Sequence, residues 1–378
     1  MTGGWSHLLR ALREPASMAE FDLSTWDLVV RQAAAGSLLG RLGALAKQHG
    51  VQPALPKVVW RHMQATLTVA EQQQRAVRWE LQQLTQTLAD VDGPVLLLKG
   101  AAYAAAGLPP AAGRLFSDID LLVPRAQLDA AEAALMLGGW VGSHHSAYDQ
   151  RYYRQWMHEL PPMTHIRRRT VLDVHHSLLP PTARLKTDPE PVILAAKPLQ
   201  QFPRFSVPDA LDLVLHSATH LFHEGEWEHG LRDLVDLDAM LRAGATDEGY
   251  WGRLLARAEE VNLGRPLFYG LRYCRELLAT PVPDDVMAGC PGRPAEVAAR
   301  LMDALFLRAL AIVHQSCRLP GSGPAAFALY VRSHWLRMPL RLLLPHLAYK
   351  GWIGAFERRR GGPGEVNGRP RPSPAEGK

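Results

Sequence analysis

The sequence predicts a mixed α+β fold, with a small α/β sheet domain held between two helical regions. Three observations carry this expectation. The first ninety residues show helical periodicity. So does the chain beyond about residue 181. Between them, short apolar runs bounded by Gly and Pro alternate with amphipathic segments. The domain boundaries expected are therefore 1–90 helical, 91–180 α/β, 181–350 helical and 351–378 a disordered basic tail.

Composition narrows the function classes. At ~150 residues per domain, a chain of 378 residues has room for two or three units with a substantial core. Apolar residues make up 47% and charged residues 21%, which excludes a disordered polymer for the bulk of the chain. A net charge of +5 at this length gives no strong nucleic-acid signal. Cys274, Cys290 and Cys317 stand far apart with no CxxC pair, against a disulfide framework or a cysteine zinc site. The N-terminus carries no apolar signal core, and no uncharged apolar run reaches the ~20 residues of a bilayer span. A cytoplasmic protein is expected.

The elements follow in order. Leu38 to His49 is rich in Ala and Leu and reads as a helix broken by Pro53 and Pro56. A long helix runs from about Lys57 to Asp90. In it Met63, Leu67, Ala70, Gln74, Val77, Leu81, Leu84 and Leu88 form a heptad seam interrupted only by Gln74. Packing along its own domain is the simpler account of that seam than a partner helix. After Asp92-Gly93-Pro94, the run Val95 to Leu98 reads as a buried strand. Ala101 to Ala106 reads as a helix and Leu115 to Val123 as a second strand. Gln127 to Leu137 is an amphipathic helix ended by Gly138-Gly139. Two more strands are expected at 159–166 and 171–175. Helices are expected at 209–223, 229–243, 248–260, 265–279, 295–315 and 325–348.

The sharpest chemistry lies in Gly113-Arg114-Leu115-Phe116-Ser117-Asp118-Ile119-Asp120-Leu121-Leu122-Val123. Alternate side chains of a strand share a face, so Asp118 and Asp120 would project together. Two carboxylates that close repel unless a cation sits between them, and an all-oxygen pair suits Mg²⁺, with Mn²⁺ the alternative. In nucleotidyl transfer such an ion bridges phosphate oxygens and offsets charge in the transition state. A third acid, Asp173 in Val171-Leu172-Asp173-Val174-His175, lies on another strand and could act as base or third ligand. A lone DxD is more often a solvated pair. Here the apolar flanks, the preceding Lys-Gly and the third acid favour a site.

Taken together, Leu97-Leu98-Lys99-Gly100-Ala101-Ala102, Gly113-Arg114 and Ser117-Asp118-Ile119-Asp120-Leu121-Leu122-Val123 resemble the uncharacterised nucleotidyltransferase family of the DNA polymerase β-like superfamily. Leu172-Asp173-Val174-His175 resembles its third-acid strand. Leu215-His216-Ser217-Ala218-Thr219-His220 and Leu231-Arg232-Asp233-Leu234-Val235-Asp236-Leu237 resemble its helical region. The resemblance covers roughly 90–240. It implies a minimal nucleotidyltransferase sheet, Mg²⁺ on Asp118, Asp120 and Asp173, and transfer of a nucleoside monophosphate from an NTP to an unidentified hydroxyl or phosphate acceptor. It also implies nucleotide contacts from Lys99, Gly100, Arg114, Ser117 and His216. The classical superfamily has Ser where this chain has Ala101, so triphosphate binding falls to backbone N–H groups, Lys99 or Arg114. The alternative is a catalytically degenerate nucleotide-binding or accessory protein that keeps the fold.

The remaining signals have simpler accounts. His216 and His220, at i and i+4, have zinc-ligand spacing but lack the Glu of a zinc protease, and packing explains them more simply. Asp233 and Asp236 are expected to pair with arginines such as Arg232. Between Asp303 and Glu357 there is no acid, while Arg308, Arg318, Arg332, Arg337, Arg341 and Lys350 accumulate around Trp335, Leu342, Leu343, Leu344 and Trp352. Peripheral membrane contact through 325–352 is one reading. A core helix with a basic solvent face is preferred.

Overall fold

The computed structural model describes residues 3–143, 152–225 and 227–343. The N-terminal region winds α1 (Ser6–Arg13), α2 (Leu23–Ala35) and α3 (Leu39–Gln48) ahead of the 31-residue α4 (Lys57–Thr87). Asp22 caps α2 by accepting from the Thr25 N–H at 2.7 Å. Of the α4 seam, Met63, Leu67, Ala70, Val77, Leu81, Leu84 and Leu88 are buried within the chain. Gln74 escapes the apolar contact by donating to the Ala111 carbonyl at 2.7 Å. The seam is thus used internally, where each fully buried leucine contributes about 2 kcal/mol.

A turn at Gly93 leads into β1 (Val95–Leu98), all four residues of which are buried. α5 (Lys99–Ala106) follows at once and closes on Gly107 in the left-handed conformation. Next come β2 (Ile119–Leu122), α6 (Leu128–Leu137), β3 (Trp140–Gly142), β4 (Met163–His165) and β5 (Val171–His175). α7 (Glu190–Leu194), β6 (Lys197–Leu199) and β7 (Phe202–Val207) complete the sheet region. The strands form one mixed sheet in the order β3-β4-β5-β2-β1-β7-β6. β2 lies at its centre, antiparallel to β1 and parallel to β5.

The C-terminal helices are α8 (Ala210–Thr219), α9 (Gly230–Gly244), α10 (Tyr250–Glu260), α11 (Gly264–Leu278), α12 (Asp284–Gly289), α13 (Glu296–Ala309) and α14 (Ser322–Arg337). α8 runs on into a π turn over His220–Glu224. α9 and α11 pack on α8, and α14 packs on α13. All three cysteines are buried free thiols. Among the described residues no helix is long and apolar enough to cross a membrane.

The mixed α+β architecture is the one expected, with corrections at particular elements. The second strand does not span 115–123. It begins at Ile119, because that is where pairing with Leu172 starts. Upstream, side chains hold the backbone instead, with the Phe116 N–H donating to Gln73 Oε1 at 2.9 Å. The strand expected over 159–166 contracts to Met163–His165, with a separate bridge between Glu159 and His175. β3, β6 and β7 were not expected. Pro198 and Pro203 count against strands in sequence, yet here they lie on the strand at the sheet edge and its neighbour.

The helix expected over 295–315 ends at Ala309, and that over 325–348 starts at Ser322. The side-chain distribution of α14 departs in part from the one preferred: Leu329 and, beyond the helix, Leu343 are buried as expected. Arg332 donates inward to the Phe222 carbonyl and Arg337 to the Glu224 carbonyl, at 2.9 and 2.7 Å. Phe327, Tyr330, Val331 and Trp335 are exposed instead. Leu344, Lys350, Trp352 and the tail over 351–378 lie outside the described residues.

Candidate functional site

The site is built where β1, β2 and β5 meet. The parallel register sets Asp120 directly beside Asp173, and the antiparallel register sets it beside Leu98. Neighbouring strands are about 4.8 Å apart. In-register residues share a face, so the two carboxylates are neighbours by construction. Asp118 sits in the loop just ahead of β2, so the alternation argument holds for Asp120 and not for Asp118. The Ser117 hydroxyl donates to Asp118 Oδ1 at 2.9 Å. Flanking apolar residues Ile119, Leu121, Leu122, Leu172 and Val174 are buried and fix the strands.

β1 delivers a cation to this cluster. Lys99 follows Leu98 directly, and its Nζ lies 3.1 Å from Asp120 Oδ1. Its backbone takes φ +44°, a left-handed conformation that costs a non-glycine residue about 1 kcal/mol. From the other side His175 Nε2 lies 3.2 Å from the same Oδ1. Burial alone would raise the Asp120 carboxyl. The Lys99 ammonium and His175 outweigh it and hold Asp120 below the usual carboxylate range. Burial would likewise lower Lys99, but Asp120, Glu224 and Asp118 keep its ammonium charged. Burial, then the Asp120 charge, push the Asp118 carboxyl up. Burial, then the Asp173 and Glu224 charges, push Glu159 well up.

The loop carrying Asp118 is clipped to two helical regions. Arg114 Nε donates to Asp236 Oδ2 at 2.6 Å, and its guanidinium comes within 3.9 Å of Asp233. Arg41 of α3 reaches the other Asp236 oxygen at 3.2 Å. Arg114 also lies over the rings of Tyr103 and Phe116, 5.7 and 5.5 Å from their centroids. Gly100 lies close beneath it, and a Cβ there would fall 2.6 Å from Arg114 Nη1 and 2.8 Å from the Phe116 ring, so those side chains would have to shift. Of the arginine partners expected for the two aspartates, Arg232 pairs with Asp233 at 2.8 Å, while Arg41 and Arg114 take Asp236.

His216 is buried, and its Nδ1 has no hydrogen-bond partner among the described residues. Burial, then the Lys99 charge, hold this imidazole neutral by lowering its pKa well below the usual histidine value. Next to it, Tyr103 and Ser217 share a hydrogen bond of 2.6 Å that ties α5 to α8. Among the described residues His220 and His216 are not part of a three-ligand cluster. His220 Nε2 pairs with Glu224 at 3.1 Å across the π turn.

Sequence reasoning missed three groups around the site, His158, Glu159 and Glu224. Glu224 carries an i,i+4 signal with His220, and His158 contacts it at 3.4 Å. His158 and Glu159 carry no local signal, since a single bridge to β5 brings them in.

Comparison with curated proteins gives no match. A family model described as an uncharacterised nucleotidyltransferase matches residues 22–279. The match starts at the cap of α2, ends just after α11, and reaches well beyond the 90–240 that carries the motifs. It contains the whole sheet, Lys99, the three aspartates and the helices that hold Arg114. The chain belongs to the uncharacterised nucleotidyltransferase family.

Proposed function

We propose that this chain is a Mg²⁺-dependent nucleotidyltransferase that moves a nucleoside monophosphate from an NTP to a hydroxyl or phosphate acceptor. The observation that carries the reading is the in-register pairing of Asp120 with Asp173, with Asp118 close enough to Asp120 to feel its charge. Hard carboxylate oxygens suit Mg²⁺ better than a softer ion. The raised Asp118 carboxyl is compatible with this, since burial and then the Asp120 charge raise it and a cation would offset both. Asp118 and Asp120, with Asp173 as base or third ligand, would hold the Mg²⁺, which would supply Lewis-acid stabilisation of the charge developing on the pyrophosphate.

The protein's own groups would do the rest. The Gly100 N–H and the first turn of α5, with Lys99, Ser117 and His216, would contact the nucleotide. Lys99 would exchange its Asp120 pairing for a phosphate. Arg114, engaged by Asp233 and Asp236, is better placed to hold the loop than to leave it. For a hydroxyl acceptor, Asp173 would take the proton as the oxygen bonds to the α-phosphorus. The bond to the β-phosphate then breaks and pyrophosphate leaves.

A silent NTP-binding protein of the same fold is the alternative, and Ala101 favours it. That residue is buried and offers no phosphate contact. Incubation of the full chain with each NTP, Mg²⁺ and candidate acceptors separates the two. Mass spectrometry should find a nucleotide-sized increment and released pyrophosphate, both lost in Asp173→Asn while NTP binding survives. NTP binding with no transfer to any acceptor class would favour the silent protein.

A further inference from the structure

Beside the carboxylate patch lies a second set of donors that nucleotidyl transfer does not use. His158, Glu159 and His175 each offer one ligand atom, and these atoms lie within 4.8 Å of one another. The two histidines are 4% and 3% exposed. Their backbones are pinned to each other. The Leu160 N–H donates to the Val174 carbonyl and the His176 N–H to the His158 carbonyl, both at 2.8 Å.

Each imidazole is held by Nε2 to a carboxylate outside the set. His175 meets Asp120 at 3.2 Å and His158 meets Glu224 at 3.4 Å. This leaves Nδ1 of each ring. His175 Nδ1 faces Glu159 Oε2 at 3.5 Å, and His158 Nδ1 is buried with no hydrogen-bond partner among the described residues. A carboxylate on the remote N–H is how proteins fix the tautomer and orientation of a metal-bound histidine. Leaving such a buried nitrogen unsatisfied costs about 1–3 kcal/mol.

We propose that His158, Glu159 and His175 form a second cation site, for a borderline transition metal of the Zn²⁺ class. Two imidazoles and one carboxylate match that class and discriminate against Mg²⁺, whose ligands are oxygens. The bound ion would lock the His175 ring with Nε2–H toward Asp120. His175 would then be a positioning residue for the carboxylate patch. Only this link rests on the proposed nucleotidyl transfer; the cation site stands without it.

The test uses the full chain, stripped with a chelator and titrated with ZnCl₂ in excess Mg²⁺. One equivalent of Zn²⁺ should bind. Affinity should fall at least about 100-fold in His158→Gln and in Glu159→Gln, and stay unchanged in Asp118→Asn. Should the buried variants misfold, X-ray absorption at the zinc edge of the wild-type protein decides, with two imidazole nitrogens in the shell expected. Absence of stoichiometric Zn²⁺ binding, or a shell without imidazole, overturns the site. Loss of Zn²⁺ in Asp118→Asn would overturn it too, because the ion would then sit on the aspartates. Failure of NTP transfer with intact Zn²⁺ binding would count against the proposed function alone.

Discussion

At the scale of single residues, burial governs how the histidines respond to acid. His176 and His223 are buried, and burial lowers each to about 4. Arg125 donates to His176 Nε2 at 2.6 Å, which a protonated ring could not accept. Both ring nitrogens of His223 lack a hydrogen-bond partner among the described residues. In the unfolded chain these side chains titrate near ~6.5. The unfolded state therefore binds more protons between the two values. Their contribution is fully present above about 6.5 and is lost as pH falls toward about 4, on the order of 1 kcal/mol per histidine per pH unit. Urea unfolding at stepped pH should follow this trend, and His223→Phe should flatten it. A wild-type stability that stays level over that range would refute the assignment. The sequence made Asp120, Asp173 and Lys99 legible, because a short strand fixes which side chains share a face. It left His158 and Glu159 hidden, because nothing in their spacing reports a bridge to a strand that follows a dozen residues later.

At the scale of elements, the DxD loop is positioned by an ion cluster joining α3, the loop and α9. Asp236 neutralises two buried guanidiniums, from Arg41 and Arg114. Removing it leaves both without a full counter-charge, so Asp236→Asn should cost about 3–5 kcal/mol. Asp233→Asn should cost much less, since its nearest partner is Arg232 rather than Arg114. Equal losses in the two variants, measured by denaturant unfolding, would contradict this division. The same loop touches α3 backbone to backbone. Gly113 has φ +70°, and a Cβ there would fall 2.1 Å from the Gly40 carbonyl oxygen. Gly113→Ala should destabilise by at least about 2 kcal/mol. A neutral result would mean the contact is looser than described. These contacts were only partly legible. Gly113 and Arg114 stand out beside the DxD, and arginine partners are expected for Asp233 and Asp236, but only Arg232 can be named from sequence, because the neighbour in sequence is visible and the neighbour across the fold is not.

At the scale of the whole molecule, the helical flanks and central sheet follow from periodicity, whereas the edge strands do not. β3 and β6 are three residues each, too short for alternation to register, and Pro203 masks β7. The C-terminal helix makes the same point through charge. Its basic composition suggested a cationic surface, yet Arg332 and Arg337 are spent on internal carbonyls. Arg184 covers Trp335 at 3.8 Å from the ring centroid. With those arginines turned inward, the purified protein should bind anionic vesicles no more at low salt than at high salt. Binding that weakens with salt and disappears on truncation after residue 320 would revive the peripheral-membrane reading. The central claim concerns the aspartates, and it is tested most directly by calorimetric titration of each NTP with and without Mg²⁺. Wild-type protein should bind NTP in a Mg²⁺-dependent manner, and Asp118→Asn and Asp120→Asn, each still folded, should lose that dependence. Undiminished Mg²⁺-dependent NTP affinity in both variants would contradict the account.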